Sequence, residues 1–309
     1  MRVLVIGAGA LGGYYGACLV RAGADVTFLV RSKRAEQLQR DGLRVVSPHG
    51  DFALQPKILL ADDLKEAFDV VLVGVKAYSL DDAMSQFAPA VGAKTMILPI
   101  LNGLKHIDAL TARFGAAQIL GGLANVSAGL DADGRVVQFM ANQTIVFGET
   151  KGSLSERVLA LESLLRVPGI DVRASDAIMQ DMWEKFIQLT TLASITCLMR
   201  ASIGDILAVP NGEASIFRLF AECCAVATAS GYEPRAPFIE FDRKLFTTVN
   251  SPLKASMLRD IERGSVTEAE HILGDMANRA RALGIDTPLL DLARAHVAAY
   301  EVGRQRAAG

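Results

Sequence analysis

Apolar positions along this chain follow two rhythms, and the change between them divides it. Over roughly the first 170 residues, short unbroken apolar runs alternate with stretches of helical period. Beyond about Asp171 nearly every apolar position recurs at intervals of three and four, and no further strand run is evident. The first run, Arg2-Val3-Leu4-Val5-Ile6, is rich in β-branched residues and ends at glycine, as a buried parallel strand does. A helical pattern follows to about Ala22, Gly23 stops it, and 25–30 reads as a second strand. Further strand runs lie at 69–75 and 95–101, and Ile119-Leu120-Gly121-Gly122 opens another. A Gly/Pro-punctuated stretch within 41–60 predicts a hairpin decorating the sheet, and alternation over 136–148 predicts antiparallel strands at a sheet edge. Helices are predicted at 81–90 and 155–165, then at 176–200, 211–230, 234–249, 252–263, 266–283 and 287–303. The pattern predicts an α/β domain over 1–174 and an all-helical domain over 175–309.

Between the first strand and first helix stands Gly7-Ala8-Gly9-Ala10-Leu11-Gly12. Each glycine has its own reason in a G-x-G-x-x-G turn. Gly7 permits the tight turn, Gly9 lets backbone approach a pyrophosphate, and Gly12 lets helix and strand pack closely. Phosphates would then meet unpaired N–H groups at the positive end of the helix dipole. Strand, glycines, helix and second strand in order within about thirty residues make the motif specific for a Rossmann-type dinucleotide-binding domain. An NAD site usually carries Asp or Glu at the end of the second strand. Here that place holds Arg31, followed by Ser32, Lys33 and Arg34. A guanidinium matches a 2′-phosphate through paired hydrogen bonds, so the expected cofactor is NADP(H).

Composition narrows the class of partner. The 309 residues are 51% hydrophobic with a net charge of −2, which points away from nucleic acid and membrane surfaces. Cys18, Cys197, Cys223 and Cys224 show no disulfide-framework or zinc spacing, and His49, His106, His271 and His296 are scattered, so no metal is expected. The chain opens on a strand rather than a signal peptide. The uncharged apolar run 186–199 is too short to span a bilayer. The expectation is a soluble cytoplasmic protein.

Candidate chemistry collects where open α/β sheets bind ligands, beyond the carboxyl ends of the strands. Lys76 follows the 69–75 strand, and Asn102 follows the 95–101 strand; each reads either as a ligand contact or as an ordinary loop residue. Trp183-Glu184-Lys185 lies near the start of the first long helix of the second domain. At 100° per residue, Lys185 shares a face with Ile178, Leu189, Leu192 and Thr196. Such a lysine either snorkels to the surface or lines a cleft, where partial desolvation would lower its pKa and make it a better proton donor. Hydride delivery to a ketone creates an alkoxide that needs a proton or cation beside it. Glu268 ends Ser265-Val266-Thr267-Glu268, which fits a capping box for the next helix and leaves open a carboxylate near a substrate.

With GAGALG at the start, Lys76-Ala77 after a strand, Leu101-Asn102-Gly103, Trp183-Glu184-Lys185, and Ser256-Met257 twelve residues before Glu268, the chain resembles the ketopantoate reductase family over its entire length. The resemblance implies a Rossmann domain joined to a helical domain of the 6-phosphogluconate dehydrogenase C-terminal-like type, with substrate in the cleft between them. It also implies NADPH-dependent reduction of a 2-keto acid to a 2-hydroxy acid. By position it gives Gly7, Ala8, Gly9, Ala10, Leu11, Gly12, Arg31 and Lys76 to the cofactor, with Ala128 as a further backbone contact. Asn102 would anchor nicotinamide ribose and substrate, Lys185 would be the general acid, Ser256 would bind substrate, and Glu268 would lie near the substrate hydroxyl and cofactor. A homodimer is a further expectation from the resemblance.

Departures bear on the substrate. Where pantothenate-pathway members carry asparagines, this chain has Leu189, Ala193, Ile203 and Leu253. Fewer amide groups mean weaker selection for a hydroxylated acid, so the expected substrate is ketopantoate, as the resemblance implies, or, in a paralogue, a more apolar 2-keto acid. Two rivals share parts of this pattern. An NAD-dependent β-hydroxyacid dehydrogenase usually has asparagine four residues after its lysine, where Leu189 stands. A non-catalytic NADP-binding sensor would be what is left once the substrate asparagines are lost.

Overall fold

The computed structural model describes residues 1–308. It divides into two compact units, Met1–Leu101 with His106–Met179, and Asn102–Lys105 with the chain from Gln180 onward. The first unit begins β1 (Arg2–Ile6), α1 (Ala10–Arg21), β2 (Asp25–Leu29), α2 (Ser32–Asp41), β3 (Leu43–Val46), β4 (Phe52–Leu54) and β5 (Lys57–Leu59). It continues β6 (Val70–Val73), α3 (Leu80–Phe87), β7 (Met96–Pro99), α4 (Lys105–Phe114), β8 (Leu120–Leu130), β9 (Val136–Glu149), α5 (Glu156–Leu165) and β10 (Asp171–Ala174).

One sheet is wholly parallel, in the order β5-β2-β1-β6-β7, with Ile6 level with Leu29 on one side and Val73 on the other. The second is built on β9, which pairs antiparallel with β8 along one edge. Its other edge pairs parallel with β10 and with β3, which carries β4. The predicted hairpin within 41–60 is β3–β4, but it joins this second sheet instead of decorating the parallel one. Directly after it, Lys57–Leu59 adds a parallel edge strand beside β2 that three residues are too few to announce. The antiparallel strands expected over 136–148 are one strand paired with β8, and Asp171–Ala174, read as the end of strand structure, is itself a strand.

Helix α1 is apolar all round because it contacts β1 and β2 of one sheet and β3, β8 and β9 of the other. Small residues make that fit. A Cβ on Gly12 would collide with the Gly7 carbonyl oxygen, one on Gly13 would stand 2.8 Å from a Val136 methyl, and one on Gly16 2.6 Å from the Phe28 ring. Tyr14 and Tyr15 fill the space between, each fully buried, their hydroxyls donating to the carbonyls of Gly169 (3.0 Å) and Thr144 (3.3 Å).

The second unit is helical: α6 (Ile178–Met199), α7 (Ile203–Leu207), α8 (Gly212–Ala229), α9 (Ala236–Phe246), α10 (Ser256–Glu262), α11 (Ala269–Ala282) and α12 (Pro288–Ala308). The six predicted helices are present, and α7 is an additional short one, closed by a reciprocal cap between Ser202 and Asp205. Helices α8, α11 and α12 pack together, and Glu222 of α8 accepts the Leu289 and Leu290 N–H groups at the start of α12. Among the described residues no helix is long and apolar enough to cross a membrane.

A buried carboxyl lies inside this unit. Asp242 of α9 has no exposed surface and accepts a hydrogen bond from Gln188 of α6; its other oxygen has no partner among the described residues. Burial pushes its pKa up to about 7, the Gln188 bond opposes this, and the Glu184 charge adds to it.

Two stability measurements follow from these contacts. Gly12→Ala costs roughly 2–3 kcal/mol by overpacking, about 4–10 °C in Tm, whereas Gly9→Ala, whose Cβ meets nothing within 4 Å, leaves Tm nearly unchanged. Equal melting of the two variants would remove the close approach as a constraint. For Asp242 the folded pKa lies above its unfolded value, so its contribution is fully present at low pH and lost as pH rises through about 7. Asp242→Asn therefore melts above the natural protein at pH 8, by a few kcal/mol at most, and the gap closes towards pH 4.5; a gap independent of pH would refute the assignment.

Candidate active site

The parallel sheet places the predicted cofactor residues by register. β1 ends at Ile6, and the turn that follows has Gly7 at φ +83°, a backbone conformation that favours glycine. Gly9 caps α1 with open space around its missing side chain, and the first turn of α1 carries no acidic residue. Ala10, Leu11 and Gly12 begin the helix with N–H groups outside the intrahelical ladder. Gly74, after β6, is nearly as confined as Gly12: a Cβ there would lie 2.8 Å from the Gly12 nitrogen. This cradle, open at Gly9 and closed behind Gly12, fits a dinucleotide pyrophosphate.

Because β2 and β6 flank β1, the residues after them flank the glycine turn. Arg31 caps α2 and is exposed, its guanidinium 2.6 Å from the Asp82 carboxylate of α3. Lys76 is exposed in the segment leading to α3. Arg34, the last of the basic run that begins at Arg31, sits on the first turn of α2 and is half-buried. Its Nε and Nη2 donate to the Ala8 carbonyl at 3.1 and 2.9 Å. Its Nη1 donates to Gln37 and to the Gly134 carbonyl of the β8–β9 turn. Burial lowers its pKa from the ordinary arginine value. Arg34 thus ties the glycine loop to the second sheet, which the run Arg31-Ser32-Lys33-Arg34 signals only once α2 is known to start at Ser32. Ala128 lies in the β8–β9 ladder opposite Gln138, past a bulge after Val126.

In the second unit three consecutive residues of α6 point three ways, since each is turned 100° from the last. Trp183 is buried, stacked on Tyr232 at 5.6 Å with the Arg279 guanidinium over its ring. Glu184 is buried and clamped by Arg235, which donates from its backbone N–H and both arms of its guanidinium and also reaches Asp181. Burial alone would raise the Glu184 carboxyl, but these bonds hold it below its ordinary value. With two neighbours fixed, Lys185 is committed to the third direction. The residue keeps some accessible surface, yet protein crowds its ammonium, and burial pushes its pKa down to about 8.

The same face of α6 continues through half-buried Leu189 to Leu192 and Thr196. The Thr196 hydroxyl donates to the Leu192 carbonyl at 2.6 Å and accepts the Ala255 N–H at 3.4 Å. That anchors Ser256, exposed at the start of α10, to the far end of the Lys185 face. Ile203 donates its N–H to the Leu253 carbonyl at 3.0 Å, so two of the four substituted asparagine positions adjoin.

Asn102 clusters with this unit, not with the strand it follows. Its carbonyl lies 2.9 Å from His271 Nε2, in the first turn of α11. Glu268 is the cap residue of that helix, but the expected capping box is not formed: its side chain makes no cap bond. Thr267 instead donates its N–H and hydroxyl to Glu301 of α12, both at 2.7 Å, which holds the Ser265–Glu268 stretch out of the box geometry. The Glu268 carboxylate is thereby not spent on capping. His271, one of four histidines that looked scattered, joins Asn102 to the Glu268 turn; only the fold brings them together.

Residues 3–152 match the ketopantoate reductase PanE/ApbA family, and residues 177–301 match its C-terminal family. The chain is 37% identical to the uncharacterized oxidoreductase YkpB of Bacillus subtilis (strain 168), covering 97% of this chain and 99% of that one. It is 29% identical to the crystal structure of 2-dehydropantoate 2-reductase from Geobacter metallireducens GS-15, with a TM-score of 0.87 over 96% of this chain and 98% of that one. D-mandelate dehydrogenase, solved with NADH and anilino(oxo)acetate, shares the fold at a TM-score of 0.88 and 21% identity, covering 99% and 100% of the two chains. Glycine turn, sheet order, helical second unit and these two matched segments agree, and the chain belongs to the ketopantoate reductase family.

Proposed function

We propose that this protein reduces a 2-keto acid to the 2-hydroxy acid with NADPH, the substrate being ketopantoate or a more apolar relative. The observation that carries this reading is Lys185, an ammonium brought to about pKa 8 by burial on a helix whose rotation its neighbours fix. Residues 7–12, Arg31 and Lys76 would hold the cofactor, with Ala128 as a further backbone contact; the nicotinamide, when bound, supplies the hydride that turns the keto carbonyl into an alkoxide. Lys185 donates a proton to that oxygen and, before transfer is complete, stabilises its growing negative charge. A lysine near pKa 8 gives up its proton more readily than one at the ordinary value yet remains mostly charged at neutral pH. Asn102 and Ser256 would orient the substrate, and Glu268 would accept from its hydroxyl. Leu189, Ala193, Ile203 and Leu253 offer no side-chain hydrogen bonds, which favours a substrate with an apolar side chain.

The reading is tested by following NADPH oxidation against ketopantoate and a panel of branched and aromatic 2-keto acids; no turnover on any member would defeat it. Lys185→Ala is expected to lower kcat by about 10²–10⁴-fold with little change in NADPH affinity. Reduction should decline as pH rises through about 8, where the donor loses its proton, and oxidation of the hydroxy acid should rise over the same range. A variant with natural turnover, or a flat profile, removes Lys185 from proton transfer. Arg31→Ala should weaken NADPH binding about 10–100-fold while sparing NADH; equal losses for the two cofactors would undo the NADP(H) assignment.

A further inference from the structure

We infer that His271 is a positioning residue for this reaction, holding the Asn102-Gly103 turn so that the Asn102 amide faces its ligand; the inference rests on the reading of Asn102 given above. The His271 ring lies against that turn. Its Nε2 is 2.9 Å from the Asn102 carbonyl oxygen, and a Cβ on Gly103 would stand 3.3 Å from both the ring Cδ2 and the His271 carbonyl. Gly103 has φ +83°, so the turn needs a residue without a side chain both for its backbone and for the ring packed on it. A carbonyl can only accept, so the proton sits on Nε2.

The effect is to divide labour within Asn102. Its backbone carbonyl is spent on His271, while its side-chain amide has no hydrogen-bond partner among the described residues and is available to a ligand. Fixing one end of a residue fixes the direction of the other. His271 is also three residues past Glu268, and its backbone N–H donates to the Glu268 carbonyl at 3.0 Å. One turn of α11 therefore carries the proposed substrate carboxylate and the ring that orients the proposed substrate amide.

Charge does not change the hold. Burial lowers the His271 pKa, while the facing Glu268 and Asp275 carboxylates and the Asn102 carbonyl oppose this and Lys105 adds to it. Neutral and protonated imidazole both carry a proton on Nε2, so the bond to Asn102 persists across the working pH range. A neutral donor also adds no competing cation where a keto acid is to be recognised.

The test is a double-mutant cycle in the full chain with Asn102→Ala, His271→Phe and the pair, read as steady-state NADPH oxidation with a 2-keto acid that the natural protein turns over. Thermal melting serves as the folding control. His271→Phe is expected to lower kcat/KM for the keto acid about 10–100-fold, to change NADPH affinity less than about fivefold, and to cause no further loss when Asn102 is already Ala. His271→Gln, which restores a donor, should recover activity to within about threefold. Independent, multiplying losses, or a Gln variant as poor as Phe, would overturn the positioning role while leaving the reductase reading intact. Natural activity in Asn102→Ala would instead overturn the reading of Asn102 and this inference with it. Should His271→Phe not fold, His271→Asn, whose shorter amide falls short of the carbonyl, takes its place with the same outcomes.

Discussion

The first unit depends on how closely α1 can approach β1. Where the Gly12 backbone passes over the Gly7 carbonyl there is no room for a side chain, and Gly74 closes the same spot from β6. That approach aims the opening N–H groups of α1 past the end of the strand, and it lets one helix serve two sheets. A helix with a single apolar face could not do so. Gly13 and Gly16 extend the accommodation to Val136 and Phe28, while Tyr14 and Tyr15 supply bulk and end their hydroxyls on backbone carbonyls. Arg34 then fixes the loop from outside through the Ala8 carbonyl. Anion binding at a helix start needs N–H groups held rigidly in place, and here the rigidity comes from packing on all sides.

The second unit meets a different demand, which is to present a poorly solvated ammonium in one direction. A lysine whose pKa falls from 10.5 to about 8 opposes folding at neutral pH, because the unfolded chain holds the proton more tightly. The residues beside it offset that cost. Trp183 contributes a buried aromatic surface stacked on Tyr232, and Glu184 with Arg235 forms a multiply bonded ion pair with one partner buried. Either anchor alone would leave the helix free to rotate about it. Two anchors at 100° to each other remove that freedom.

Much of this was legible in the residue order, and the reasons for the rest are specific. The strand, glycine turn and helix at the amino end are local, so their meaning survives without the fold. The long helices of the second unit are likewise read from period alone. What stayed hidden depends on contacts distant in sequence. Lys57–Leu59 and Asp171–Ala174 are three and four residues long and become strands only because β2 and β9 offer free edges. The Ser265–Glu268 box looked sound locally and lost to Glu301, which captures Thr267 across 34 residues. His271 gave no signal at all, since its partner is a backbone carbonyl 169 residues away and any residue carries one.

In the proposed site, that last pairing would order a ligand contact without adding charge to it. Ligand-facing amides are hard to hold, because a side chain that bonds to the protein no longer bonds to the ligand. Holding Asn102 by its carbonyl avoids the conflict, since the main chain is bonded while the amide stays open. The holder must then be a donor, must be rigid, and must bring no extra charge to the proposed ligand. A lysine or arginine would fail the last condition and a serine the second. A partly buried imidazole meets all three, and its Cδ2–Nε2 edge lies against Gly103, which has no side chain to displace it. The choice of histidine is therefore explained by geometry and neutrality together, with no appeal to proton transfer by the ring itself.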